Sequence, residues 1–336
     1  MTFKPEFFEH EGGLQAFIDA PLPRKQIITG ILHRGKAYGR TSLVDRMTLL
    51  FEAKISAGEK VVNAVVDCSP DIKGRAFEVA LELRKKYEKQ ITINVGAYPI
   101  FGFKDRGSDR HLHLKELASR AQFLVGLPER DERSDHTVGF NGHLAILIEL
   151  AIELKIPLQV HVDQTNTAEE DGTKKLVQAT RWLVNSRLTS ADRPQIWAVH
   201  MVSPSSYDEN RFKRLLDGLR ETNIGVVVCP HAAISMRQMR NKTAPIHNSV
   251  ARVRELILAG IEVRLGTDNI NDLFMPRPYD VLLSREIDVL ASSLRYYDDN
   301  VLGKLARAER LNETDKDSVA RSISGDHDAY GWQTHI

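Results

Sequence analysis

The stretch PLQVHVDQTN, residues 157–166, decides the fold. Apolar residues run up to His161, Asp163 and Gln164, which present an imidazole, a carboxylate and an amide where a buried strand should end. Working outward, seven more apolar runs of the same kind appear: IITGIL (27–32), VVNAVVD (61–67), ITINVGAY (91–98), QFLVGL (122–127), QIWAVH (195–200), IGVVVCP (224–230) and IEVRLGTD (261–268). Between them lie amphipathic helical patterns such as SLVDRMTLLFEAKISAG, which ends on Gly58 as a C-cap should, RAFEVALELRKKYEK and GHLAILIELAIELK. Near-continuous apolar strands separated by helices are those of a parallel sheet covered on its outer face. Eight such units predict an α/β fold of the (β/α)8 TIM-barrel class. A doubly wound open sheet is the competing architecture. LHRGKAYGR, after the first run, does not fit G-x-G-x-x-G and so gives it no phosphate loop.

The 336 residues fit a single barrel domain at 1–298, followed by a charged helical extension and tail at 299–336. Residues 299–323 read as helical and 324–336 as loosely ordered. Hydrophobic residues make up 42% and charged residues 27%, as in a soluble protein with a sizeable core. Net charge is +1, from 46 basic and 45 acidic side chains, which gives no reason to expect nucleic acid or an anionic membrane as partner. Two cysteines, Cys68 and Cys229, imply no disulfide framework and fit a reducing cytoplasm. The N-terminus lacks the apolar core of a signal peptide, and no run approaches the ~20 residues of a membrane helix.

Barrel chemistry sits at the C-terminal ends of the strands. Those ends deliver His33, Asp67, His161 with Asp163 and Gln164, His200, His231, and Asp268 with Asn269. Imidazole and carboxylate suit zinc or iron, whereas magnesium takes mostly oxygen. Each residue also has a structural use. A lone histidine at a strand end is commonly a hydrogen-bonded structural group, Asp67 can cap the next turn, and Asp268 can build an Asx-turn.

The order His, His, Asp on the fifth, sixth and eighth runs carries a resemblance over about residues 42–297. VHVDQTN, AVHM, VVVCPHAAISMRQ and RLGTDNINDLFMP together resemble the cytosine-deaminase-like branch of the amidohydrolase superfamily. The resemblance implies a metal-dependent hydrolase attacking an sp2 carbon of an amino-heterocycle or cyclic amide. It makes His161 a ligand of one divalent zinc or iron ion. Asp268 becomes a second ligand that also takes the proton from the attacking water, and His200 a partner of that water or of the developing oxyanion.

The chain departs from the family pattern in two places. The first-strand H-x-H reads Ile31-Leu32-His33, which leaves His33 as the one candidate ligand there. An actual H-x-H in HLHLKEL, from His111, falls at a predicted helix start and is a decoy. Gln164 replaces the proton-shuttling glutamate; an amide orients a substrate but does not carry protons near neutral pH. Gln164, His231, Asp67, Arg130 and Asn269 are the substrate-contact candidates, Asp67 as a supporting residue and Asp163 as a loop anchor. The loop GLPERDERSDHTVGFNGH offers Arg130, Arg133 and His136 to an anionic group, or is a solvated charged loop. Tyr98, Phe101, Phe103 and Phe274 line a flat pocket or pack under loops.

The chain is too short at its N-terminus for the family's accessory β-sandwich, so a bare barrel is expected. The expected partner is a small molecule, with a homo-oligomer through the outer helices compatible with the sequence. Two rival functions stand beside hydrolysis: a metal-free ligand-binding barrel, and a lyase or isomerase using His200 and Asp268 as acid and base.

Overall fold

The computed structural model describes residues 12–13, 16–17, 28–186, 188–235, 250–269 and 283–330. Seven parallel strands lie in the sheet in their order along the chain: β1 (Val61–Asp67), β2 (Thr92–Tyr98), β3 (Phe123–Gly126), β4 (Leu158–Val162), β5 (Ile196–His200), β6 (Gly225–Val228) and β7 (Val263–Leu265). Before and between them run α1 (Ile28–His33), α2 (Arg40–Ser56), α3 (Arg75–Tyr87), α4 (Asp109–Ala118), α5 (Gly139–Leu154), α6 (Gly172–Thr180), α7 (Glu209–Thr222), α8 (Pro230–Ser235) and α9 (Val253–Leu258). After β7 come α10 (Leu283–Leu294), α11 (Asp299–Ala306) and α12 (Glu313–Tyr330). Parallel neighbours need crossover connections, and helices supply them. The result is a curled (β/α) barrel, with no accessory β-sandwich among the described residues.

Strand alternation sets what faces the helices and what faces inward. Val160 and Val162 of β4 are fully buried in the main core, with Leu144 and Leu147 of α5 and Leu176 of α6. Gln159 and His161, which alternate with them, are only half-buried and face the inside of the curl. The same alternation on β1 buries Val62 and Val66 and leaves Val61 and Val65 exposed.

The structure corrects the first run. Residues 28–33 form α1 rather than a strand, so the described strands number seven and His33 ends a helix. A six-residue apolar run carries too little periodicity to separate strand from helix. The burial breaks the alternation a strand would show: Ile31 is exposed while His33, two positions on, is buried, and the backbone is helical. The other seven runs lie on strands or lead directly into them.

The helical C-terminal segments pack onto the barrel. Val301, Leu302 and Leu305 of α11 are buried beside β7, and Val319 of α12 is buried where that helix crosses α9. Helix α12 continues through Tyr330, past residue 323, where the sequence pattern ended it; residues 331–336 lie outside the described residues. Among the described residues no helix is long and apolar enough to cross a membrane.

Candidate active site and metal centre

Three strand ends converge on one point. His161 of β4, His200 of β5 and Asp268 beyond β7 each place a possible ligand atom within 4.8 Å of the others. Nδ1 of His161 lies 3.0 Å from Nε2 of His200, one ring donating to the other. Register explains the meeting: Val162 pairs with His200 and His161 with Val199, so the two histidines stand one residue apart across adjacent strands.

The backbone bends sharply at these ends. Asp163, His200, Met201 and Asp268 all have φ between 49° and 76°, the left-handed region that non-glycine residues avoid. Such residues cost of order 1 kcal/mol or more each and cluster at functional sites. Asp163 shows how the bend is held. Its carboxylate accepts from the Gly172 N–H at 2.7 Å and the Thr173 N–H at 2.9 Å, capping α6. Its carbonyl accepts from the Val202 and Ser203 N–H groups at 2.9 and 3.0 Å. Asp163 therefore anchors the loops after β4 and β5, as expected of it.

Electrostatics favours neutral imidazoles here. Burial, then the neighbouring His200, pushes His161 down to about 4. Burial alone takes His200 to about 4. Burial pushes the Asp268 carboxyl up, against the pull of His161 and of the Asn269 N–H. At neutral pH both rings are thus neutral, and a cation would displace the hydrogen bond between them to reach the lone pair of the accepting ring. Nε2 of His161 is buried with no hydrogen-bond partner among the described residues. An orphaned imidazole nitrogen beside a second imidazole and a carboxylate fits a transition-metal ion.

His33 lies elsewhere. Its Nε2 is 2.7 Å from Asp67 Oδ2 and its Nδ1 2.7 Å from Asp71 Oδ2, so carboxylates occupy both nitrogens. Burial lowers its pKa, but the hydrogen bond and charge of Asp67, with Asp71 adding, leave it raised. Asp67 also accepts from Tyr38 Oη at 3.0 Å and from the Ser69 N–H at 2.8 Å, so it caps the turn after β1 and holds His33. His111 and His113 lie on α4, whose N-cap is Ser108, as expected of a decoy pair.

No family model matches the sequence. An uncharacterized protein of Haemophilus influenzae is 26% identical over 222 residues, which span 65% of this chain and 76% of that protein. The 5-methylcytosine deaminase of Klebsiella pneumoniae, solved with 5-fluorocytosine, superposes with a TM-score of 0.73 at 20% identity, covering 91% of this chain and 70% of the deaminase. The chain shares the barrel fold of this deaminase. The N-isopropylammelide isopropylaminohydrolase of Burkholderia multivorans superposes with a TM-score of 0.64 at 19% identity, over 91% of this chain and 70% of that one.

On this barrel fold the remaining candidates divide. Gln164 is half-buried next to Asp163, and Asn269 is exposed beside Asp268. Arg133 pairs with Asp135 at the surface, while His136 turns inward to Asp131 at 2.6 Å. Phe103 is fully buried against His111 and His143, so it packs under the loop. Phe101 meets the His33 ring edge-on. Tyr98 stands at the site, its ring parallel to His161 at 6.0 Å. Phe274 lies outside the described residues.

Two acidic residues were not anticipated. Glu129 follows Pro128 just beyond β3, in the charged loop that drew attention to Arg130, and the strand-end rule applied to that strand would have found it. Glu286 on α10 left no such signal. It is 1% exposed, and its Oε2 accepts from the His231 N–H at 3.0 Å, with His231 Nδ1 4.0 Å from its other oxygen. Burial pushes Glu286 up from 4.5 to about 7, with Asp268 adding and the His231 N–H opposing. A raised carboxyl stabilises the fold fully below pH ~4.5 and loses that contribution as pH rises through about 7, roughly 3 kcal/mol at most. Glu286→Gln is therefore expected to flatten the fall in Tm between pH 5 and 8. A variant whose Tm tracks wild type across that window would refute the assignment.

Proposed function

We propose that the protein is a metal-dependent hydrolase of C–N bonds in a small amino-heterocycle or cyclic amide. The observation that carries this is the convergence of His161, His200 and Asp268 with an orphaned His161 nitrogen on an amidohydrolase barrel. The superposed deaminase and aminohydrolase support the reaction class. His161, His200 and Asp268 offer three donor atoms, the number that a catalytic zinc site takes while keeping one position open. His200 takes the third place in this proposal because carboxylates hold both nitrogens of His33.

Zinc or iron held there supplies the Lewis acidity that makes water a nucleophile at neutral pH. Asp268, its carboxyl raised by burial, accepts the water's proton and returns it to the leaving nitrogen. Gln164 orients the substrate by donating and accepting hydrogen bonds, and leaves proton transfer to Asp268. Tyr98 shields one face of His161 and, with His231, Asn269 and Arg130, borders the substrate. Residues 1–298 form the catalytic barrel in this proposal and 299–336 its helical extension. A cytoplasmic enzyme with a small-molecule substrate fits the composition, and the outer helices leave room for a homo-oligomer.

Elemental analysis of chelator-washed, reconstituted protein tests the proposal. About one zinc or iron per chain is expected, falling below a tenth in His161→Ala. Protein that folds and takes up no metal would end the hydrolase reading and favour a metal-free binding barrel.

A further inference from the structure

His33 is held in a way that a neutral imidazole cannot satisfy. Its Nε2 lies 2.7 Å from Asp67 Oδ2 and its Nδ1 2.7 Å from Asp71 Oδ2, and its side chain is 1% exposed. A neutral ring donates from one nitrogen and accepts at the other, and an ionised carboxylate has nothing to donate. Asp67 accepts from the Tyr38 hydroxyl and from the Ser69 N–H and hydroxyl, and Asp71 accepts from the Ile72 N–H. Both carboxylates are thus arranged as acceptors, and two short contacts to them require the doubly protonated imidazolium. What the ring holds is a helix with few other attachments. Helix α1 has six residues, too few to persist without tertiary contacts. Ile28 at its start is buried, and His33 at its end meets the Phe101 ring edge-on at 5.0 Å. Asp67 ties that end to the mouth side of β1, the first strand of the sheet, whose partner among the described residues is β2 alone.

We propose that His33 is a proton-operated latch: as imidazolium it clamps α1 to the mouth end of β1, and as neutral imidazole it lets go of Asp71 and frees the helix that walls the mouth on this edge of the sheet. Asp67 faces the ring from β1, Asp71 from the turn Pro70–Ile72 and Tyr38 from the turn Lys36–Tyr38; Phe101, after β2, carries no charge. Arg46 of α2 and Arg75 of α3 stand behind Tyr38, donating to the Ala37 and Tyr38 carbonyls. Burial pushes the Tyr38 hydroxyl up, so it stays a donor throughout. Burial opposes the charge on His33, but the hydrogen bond and charge of Asp67, with Asp71 adding, leave its pKa raised. A raised imidazole contributes stability that is fully present below pH ~6.5 and is lost as pH rises through the folded-state value, so the latch opens on the alkaline side. The half-exposed Asp71 then turns to water while the buried Asp67 keeps its bond. The latch needs neither metal nor substrate and goes beyond the hydrolase reading.

Hydrogen exchange read by mass spectrometry at pH 6 and pH 9, corrected for the intrinsic pH dependence of exchange, tests the latch. In wild type, protection of the amides of residues 32–35 should fall at least tenfold between the two, while β2 stays protected. Asp71→Asn supplies an amide that can donate to the bare Nδ1, so α1 should keep its protection within threefold at both pH values. His33→Gln carries no titrating proton and should show equal protection at the two. Imidazole nitrogen shifts should report both nitrogens of His33 protonated at pH 6. A wild type without the fall, a fall shared with β2, a fall that persists in Asp71→Asn or His33→Gln, or a neutral His33 ring at pH 6 overturns the proposal.

Discussion

Asp268→Asn is expected to lower kcat by about 10³-fold on any heterocycle the protein turns over. The substitution keeps size and shape, and the side-chain oxygen still accepts from the Asn269 N–H. It removes the one group in the cluster able to accept and return a proton, because burial holds His161 and His200 neutral, with pKa values of about 4. Gln164 offers no substitute. The measurement is steady-state kinetics at saturating zinc, with metal content determined on the same samples. If metal is retained and kcat stays within tenfold of wild type, Asp268 is a ligand at most and proton transfer must be reassigned.

The largest effect on stability is expected at Asp131, outside the reaction centre. Its fully buried carboxylate accepts from the Phe103 and Lys104 N–H groups, both at 2.8 Å, and meets Nδ1 of His136 and of His143, both at 2.6 Å. One side chain thus ties the loop after β2, the loop after β3 and helix α5 together. Gly102 fits this closure: its φ is +68°, and a Cβ there would lie 2.6 Å from Asp131 Oδ2. Asp131→Ala would leave two buried amides and two imidazoles without their acceptor, a loss of about 3–5 kcal/mol. Burial alone would raise the Asp131 carboxyl, but His143 and the two backbone donors outweigh it and hold it down at about 2. A depressed carboxyl contributes stability that is present above pH ~4 and is lost as pH falls through about 2. Denaturant unfolding at pH 7 and pH 3 checks both points. The variant should be several kcal/mol weaker at pH 7 and should show a shallower decline towards acid. A loss below 1 kcal/mol would mean that water replaces the carboxylate in this loop.

Much of the fold was legible because seven apolar runs had the length, continuity and spacing of buried parallel strands. VVNAVVD and ITINVGAY pair over seven residues, Val61 with Thr92 through Asp67 with Tyr98. The first run failed because six apolar residues beginning at a helix look the same as a short strand until burial is known. The cluster His161–His200–Asp268 was legible in its residue types, since strand ends are where a barrel exposes polar groups. His33 misled for the same reason, its helix having been taken for a strand. Glu286 was illegible: it reaches His231 across 55 positions from a helix, and no local pattern records such a contact. Asp131 was hidden in a run of charges, PERDERSD, in which Arg133 and Asp135 pair at the surface and Glu132 meets Lys175 there, so the run reads as a solvated loop.

Asp163 places the two imidazoles under common control. Its backbone carbonyl holds the turn after His200 while its carboxylate fixes the helix following its own strand, so one residue braces the backbone beneath both rings. In the proposed metal centre the pair would act as a preorganised chelate whose bite is set before any cation arrives. On that proposal, capture of an ion would require little loss of side-chain freedom, so that a site with few protein donors would hold a metal tightly. The same rigidity limits it, since a cation that demands a wider bite or more donors would have to break the Asp163 clasp to enter.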